Sequence, residues 1–458
     1  MSEPLRMENQ GIMMIETPVN MLLSGCYGLS HAFRSLKDRL PDILAKVIDT
    51  CSREKDFINE NELKQFIAAV SKLRYDLMTN KPFAKLTSDL PDTKLWNQEI
   101  EKQEIKYYFN NTFLFTECYV YRRLWDECSK LESMKEYDYF ADMKNKSLEN
   151  SIEPMCIFAD RFMEDMLPLN VGEKRKQDFI LLLEFCLWAN NSDLSLSGGK
   201  DVTPGGEVTD QVIDPFKMLD DLRDKMLVNN SEAIYEGLIS RAEALENNNR
   251  NVVFDIVCDN AGYELFSDLC LGHFLVDQKI VQKVRFHLKN LPWFVSDTMP
   301  ADFSKLIEFC SKVQYERASH NISHKALRRL GERWNEMLMN GTFEIKTNYF
   351  WMSAHVYKDM KSVNLDLYNK FKTAVSVMFK GDLNYRKLMG EKRVVDTISF
   401  ESALEGFHPA PVISVRTVKC EIICDLKPHK SQELGQIDWR WMEKGHYGVI
   451  QYSSKIES

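Results

Sequence analysis

The 458-residue chain is 44% apolar and 28% charged, the balance of an ordinary globular protein long enough for two or three structural units. Its net charge of -9 excludes a nucleic-acid backbone as the main partner, because that binding draws on many Lys and Arg side chains set against phosphates. Any anionic ligand must therefore meet a local cationic site.

Residues 1–28 carry one arginine, several acids and a short, interrupted apolar stretch. They fit neither a secretory signal nor a membrane span and read as a flexible tail. The 11 cysteines are odd in number and scattered, with no C-x-x-C pair and no zinc-like His/Cys spacing, so reduced thiols in the cytoplasm, and also the nucleus, are expected. Past the tail, Leu40, Ile43, Leu44, Val47, Ile48 and Cys51 recur three or four apart, with Pro41 at a tolerated first-turn position. "NENELKQFIAAVSKLRYDLM" repeats the pattern, opened by Asn59 and Glu62 in capping-box spacing. "FLFTECYVYRRLWDECSKL" and "KQDFILLLEFCLWANN" read as further helices, the second too apolar to be exposed on any side. Residues 29–190 are expected to form a helical subdomain. Residues 191–250 would hold a glycine-rich loop, "LSLSGGKDVTPGGEV", and a helical spacer, "DPFKMLDDLRDKMLVNNSEAIYEGLISRAEAL".

From residue 251 to 458 the texture changes. Short apolar runs, "VVFDIVC", "KVRFHL", "AVSVMF" and "PVISVRTVKCEIIC", alternate with helix-like segments. That alternation predicts an α/β fold, a largely parallel sheet between helical layers. If "CEIIC" is strand, Cys420 and Cys424 share a face, and burial is their plainest role. His324, Lys325, Arg328, Arg329 and Arg333 have helical spacing and read as a solvated basic face.

In parallel sheets ligands bind outside the carboxyl ends of the strands. There the chain offers Asp259 and Asn260; Asp297 and Thr298; "KGDLNYR", with Lys380, Asp382, Asn384 and Arg386; and "RTVK", with Arg416 and Lys419. Asp259 and Asp297 have a competing reading as N-caps, and Asp382 and Asn384 as a turn closing a strand. Taken together, two carboxylates and an amide oxygen suit Mg2+ or Mn2+, while Lys and Arg answer a phosphate. Such a set supports phosphoryl transfer to water. Asp382 is placed to accept a proton or to hydrogen-bond a substrate hydroxyl. No G-x-S-x-G elbow, P-loop or dinucleotide fingerprint is present, and no Asp-x-Asp ends a strand.

"DNAGYELFSDL" (259–269), "WFVSDT" (293–298), "FKGDLNYRKL" (379–388), "GFHPAP" (406–411) and "RTVK" (416–419) together resemble the metal-dependent damage-control phosphatase family, in its R-T-x-K subfamily. The likeness extends upstream through "LWANNSDLSLSGG", "ECYVYRR" and "SKLRYDLMTNKPF". The resemblance implies a helical subdomain beside a Rossmann-like three-layer domain. It implies a metal held by Asp259, Asn260 and Asp297, and substrate contacts from Asp382, Leu383, Asn384, Tyr385, Arg386 and Lys419, with Asp259 and Asn260 also near the substrate. Asp259, Asp382 and Lys419 would carry the catalysis. Lys380, Arg416, Asn190 and Asp193 are further candidates, the last two competing with a plain helix cap. His408 in "GFHPAP" reads more simply as a packed histidine.

The implied cofactor is Mn2+, Co2+ or Ni2+, with Mg2+ also admissible, and the implied substrates are sugar phosphates such as fructose 1-phosphate and fructose 6-phosphate. No nucleic acid or membrane is an expected partner. The family also brings a rival reading, an S-adenosylmethionine-dependent methyltransferase esterifying protein glutamates, with the replication sliding clamp as its target. Methyl transfer to a carboxylate needs neither the metal ligands nor the cations found at the strand ends. A non-catalytic scaffold is the third reading, in which those residues are structural.

Overall fold

The computed structural model describes residues 11–53, 58–196, 214–320 and 322–457. The expected helices form wherever the apolar stripe has something to pack on: α1 (Leu40–Arg53), α2 (Glu60–Met78), α3 (Phe113–Ser129), α4 (Ile152–Arg161) and α5 (Gly172–Leu196). In α2 the buried residues are Leu63, Phe66, Val70, Leu73 and Leu77, the predicted stripe. Asn59 caps it by accepting from the backbone of Asn61 and Glu62. The capping box does not close, because the Glu62 carboxylate instead accepts from the backbone of Glu132 and Ser133.

The tail expectation needs correcting for residues 11–28. Leu23 is fully buried, its N–H donates to Glu391 O at 3.0 Å, and its carbonyl accepts from Phe113 N at 2.7 Å. Main-chain pairing with segments distant in sequence holds this stretch, and such pairing leaves no local periodicity to read. Residues 1–10 and the glycine-rich loop at 198–206 lie outside the described residues.

The sheet has seven strands. They are β1 (Met226–Asn229), β2 (Val253–Val257), β3 (Lys283–Leu288), β4 (Phe343–Thr347), β5 (Ser376–Lys380), β6 (Val412–Thr417) and β7 (Gly448–Ser453). Their order is β1-β7-β6-β5-β2-β3-β4. Every neighbouring pair is parallel except β6 and β7. β2, β5 and β6 are buried along their whole length, which is why they read as unbroken apolar runs. Alternate side chains feed two cores: Phe254, Ile256 and Met378 on one face, Val257, Val377 and Phe379 on the other. The first face is covered by α4, α5, α6 (Ser231–Asn247), α7 (Tyr263–Asp277), α8 (Pro300–Lys312) and α9 (Lys325–Met339). The second face meets α1, α2, α3 and the loops after β4 and β6. The three-layer α/β expectation thus holds, with helices α1 to α3 added at one side.

Three further differences from the sequence reading are local. Residues 226–229, expected to be helical, form an edge strand parallel to β7, since "MLVN" is too short to show a period. β6 stops at Thr417, so Cys420 and Cys424 sit in a buried loop and not on a strand. β4 and β7 carry mixed polar positions and were not expected. The basic stripe on α9 does lie on its solvent side, with Lys325, Arg329 and Arg333 exposed. No helix among the described residues is long and apolar enough to cross a membrane.

Chain order reverses between β2 and β5: from β2 the chain runs outward to β3 and β4, then returns to lay β5 on the other side. That makes a topological switch point, and the crevice at the carboxyl ends of β2 and β5 is where such a sheet takes its ligand. β5 runs directly into a short helix, α10 (Gly381–Leu388).

Candidate active site

Beyond β2 the main chain of Asp259 to Ala261 pairs with the segment 296–298 that comes after β3. Thr298 N donates to Asp259 O and Ala261 N to Ser296 O, both at 2.8 Å. An antiparallel bridge joins Asn260 to Asp297. The three residues expected to hold a metal are therefore adjacent because two strand ends are stitched together. The turn that delivers Asp297 is strained: Phe294 and Val295 have φ of 45° and 74°, unusual for non-glycine residues and most of all for a β-branched one.

Asp259 lies against the start of α10. Gly381 has φ of 80°, and a Cβ there would stand 1.9 Å from Asp259 Oδ2. We expect Gly381→Ala to displace the Asp259 carboxylate and to lower turnover about a hundredfold with an intact fold by circular dichroism. An Ala variant with wild-type turnover would show that this contact does not position Asp259.

A second layer of charge surrounds the carboxylates. Asn260 Nδ2 donates to Asp259 Oδ2 and to Glu264 Oε2, each at 2.8 Å, and its Oδ1 accepts from the Ser296 hydroxyl. Lys289 Nζ stands 3.0 Å from Asp297 Oδ2 and donates to Cys258 O. Lys380 Nζ bridges Glu264 at 3.0 Å and Asp268 at 2.7 Å. Burial, then the charges of Glu264 and Asp297, hold the Asp259 carboxyl well above its ordinary range. Asp297 is raised too, chiefly by burial, with Lys289 opposing. Two crowded, desolvated carboxylates, with Asp297 Oδ2 making an ion pair but no well-formed hydrogen bond, fit a hard divalent cation. Asn260 Oδ1, which accepts from Ser296, would be the third oxygen for such an ion. No group of three His, Cys, Asp or Glu among the described residues is arranged to hold a metal.

Across the crevice, Asp382 Oδ1 accepts from Arg416 Nε at 2.7 Å and from the Lys419 backbone N–H at 3.2 Å. Although burial pushes the other way, Arg416 and then Arg386 hold the Asp382 carboxyl below its usual range, so it is a charged acceptor. Arg416 is itself consumed by structure: it donates to Ile422 O and Cys420 O and lies over the Tyr385 ring at 4.2 Å.

These groups open on one cleft of about 480 Å³. Asp259, Asn260, Asp297, Asp382, Leu383, Arg386 and Lys419 all line it. Other expected site residues do not. Asn384 accepts from Tyr357 OH and donates to Lys380 O, both at 2.7 Å, and Tyr385 OH pairs with Cys424 Sγ; both side chains face the core. Lys380 and Arg416 brace the carboxylates from behind. Arg386 reaches the cleft, but its donors go to Glu391 and Glu117. The side chains of Asn190 and Asp193 lie outside those described. His408 is buried with no role at the cleft.

Sequence reasoning missed several lining or bracing groups. Lys289 stands immediately after β3 and obeys the same strand-end rule that found Asp259. Glu264 is one helical turn from Asn260 and bonds to it. His31, Arg39 and Glu117 come from the helical region, where nothing local marks them. A neighbouring cleft of about 500 Å³ shares Glu443, but its three arginines, Arg34, Arg393 and Arg440, are each paired with Glu443 or Glu16. It holds no strand-end carboxylate.

Residues 35–434 match the family model described as the damage-control phosphatase ARMT1-like domain. Similar curated proteins are each named damage-control phosphatase ARMT1. That of Macaca fascicularis is 35% identical over 452 residues, 95% of this chain and 98% of that protein. That of Homo sapiens is 34% identical over 452 residues, with the same coverage. That of Danio rerio is 33% identical over 449 residues, 94% of this chain and 96% of that protein.

Proposed function

The chain belongs to the damage-control phosphatase ARMT1-like family, and on that premise we propose that it is a metal-dependent phosphatase of sugar phosphates, of the fructose 1-phosphate and fructose 6-phosphate kind. The observation that supports this reading is the meeting, at one switch-point crevice, of the Asp259 and Asp297 carboxylates with Asp382 and Lys419.

Asp259, Asn260 and Asp297 would hold Mn2+, Co2+, Ni2+ or Mg2+. Such an ion, when bound, offsets phosphate charge and makes water more acidic. Lys289, behind Asp297, and Asn260, between Asp259 and Glu264, keep the two carboxylates in place. Lys419 brings a cation to the phosphoryl oxygens as charge develops on them. Asp382 is a poor proton acceptor because Arg416 grips it, so its part is to receive a hydrogen bond from a sugar hydroxyl. Overall, a water oxygen bonds to phosphorus, the ester P–O bond breaks, and the departing alkoxide takes up a proton. The products are inorganic phosphate and the free sugar, as removal of a damaging phosphometabolite requires. Methyl transfer to a protein glutamate is the weaker reading, because it uses neither the carboxylate pair nor the cations around the cleft.

We expect purified protein, stripped of metal and then given each ion in turn, to release phosphate from fructose 1-phosphate and fructose 6-phosphate. Lys419→Ala should reduce kcat/KM about 10²–10³-fold. Failure of every ion and ester, together with tight binding of S-adenosylmethionine, would replace this reading with the methyltransferase.

A further inference from the structure

Glu117 lies on α3, on the helical side of the cleft, and is 0% exposed although it lines the cleft. Its Oε2 accepts from Arg386 Nη1 at 2.6 Å. Its Oε1 accepts no hydrogen bond, and Arg39 Nη1 stands 3.6 Å away. A buried carboxylate oxygen without a hydrogen-bond donor is costly, and folded proteins tolerate such a group where a ligand completes it.

The backbone nearby is also irregular. Ser30 caps a short helix, His31–Arg34, which passes through a π turn, Ser35–Arg39, before continuing as α1. One-turn π segments inside helices recur at functional sites because they re-aim side chains. Here the irregular stretch begins with His31 and ends with Arg39, and both line the cleft. Arg39 is half-exposed, with Glu117 as its ion-pair partner. His31 Nε2 lies 3.2 Å from Ser35 Oγ. Burial, and then Arg39, push the His31 imidazole down to about 3, so it is neutral with one N–H and one lone pair. A neutral imidazole, a carboxylate oxygen lacking a hydrogen bond and a half-exposed guanidinium match hydroxyl groups, which both donate and accept. They line the same cleft as the strand-end groups suited to the phosphate, and the cleft is large enough for a hexose as well.

We propose that Glu117, flanked by Arg39 and His31, reads the hydroxyl groups of the substrate, so that preference for a polyhydroxylated phosphate ester over a plain one is set by the helical region. This rests on the phosphatase reading. Glu117 Oε1 accepts from a substrate hydroxyl, while Arg39 and the His31 ring donate to substrate oxygens.

The test is a selectivity ratio, kcat/KM for fructose 1-phosphate divided by kcat/KM for p-nitrophenyl phosphate, in the metal-loaded full-length protein. Glu117→Gln can keep an oxygen on Arg386 while turning an NH2 toward the substrate. We expect it to lower the ratio tenfold or more, and Arg39→Gln to lower it several-fold. A ratio is unaffected by the fraction of folded enzyme, and if the Glu117 variant does not fold, Arg39→Gln decides. An active wild type whose ratio stays within twofold in the variants overturns the assignment of Glu117 and Arg39 alone. A wild type that hydrolyses neither ester on any metal overturns the phosphatase reading, and this inference with it.

Discussion

Replacing Asp259 with Asn is expected to cut metal-dependent phosphate release sharply while making the metal-free protein harder to unfold. The two effects have one origin. Asp259 is buried beside Glu264 and Asp297, and its carboxyl is held well above the ordinary range by burial and by those neighbours. A carboxyl whose folded pKa exceeds its unfolded value destabilises the fold increasingly as pH rises above about 4. Asn carries no such charge and its amide oxygen can still accept from Asn260. We expect the metal-free variant to gain about 1–3 kcal/mol at neutral pH, with the gain shrinking as pH falls toward 4. Activity should fall about 10³-fold or more, since several kcal/mol of transition-state stabilisation are lost. Chemical denaturation of both proteins after chelation, beside phosphate release, checks the pair. A variant that is less stable at pH 7 and still active would mean that Asp259 is a structural cap.

Arg386→Met should cost more stability than any other single change at the site. The guanidinium is 3% exposed, donates twice to Glu391 and once to Glu117, and lies over Phe113 at 4.4 Å. Removing it leaves two carboxylates buried without their shared cation, a loss of about 3–5 kcal/mol. Adding Glu391→Gln should recover part of it, because one of the stranded charges is then gone. Denaturant midpoints for the single and double variants measure this. An unchanged midpoint with activity lost would place Arg386 on the substrate's phosphate, the role its position in "DLNYR" suggests.

Periodicity explains how far the site was legible. Asp259, Asn260, Asp297, Asp382 and Lys419 stand just past the ends of apolar runs, where a parallel sheet presents its ligand-binding edge, and the structure brings all five to one cleft. Asn384 and Tyr385 could not be sorted that way. Within α10 the period of 3.6 turns Asp382, Leu383 and Arg386 toward the cleft and Asn384, Tyr385 and Leu388 toward the core. Treated as a loop, Asp382 to Arg386 all look like ligands. Lys380 and Arg416 misled differently: a cation at a strand end looks like a phosphate contact until its carboxylate partner, Asp268 or Asp382, is seen.

The amino-acid sequence on its own carries the layering of the fold and the strand-end chemistry, because burial on both faces writes a strand as an apolar run and a parallel sheet lines its carboxyl ends along one edge. It carries the family as well, through motifs spread from residue 71 to 419. The folded chain was needed to show which charges are spent on one another and which face the cleft, that residues 11–28 are packed, and that Glu117, Arg39 and His31 also line it. Those outcomes depend on pairings between residues far apart in the chain, 269 positions for Arg386 and Glu117, and no local pattern encodes a partner at that distance.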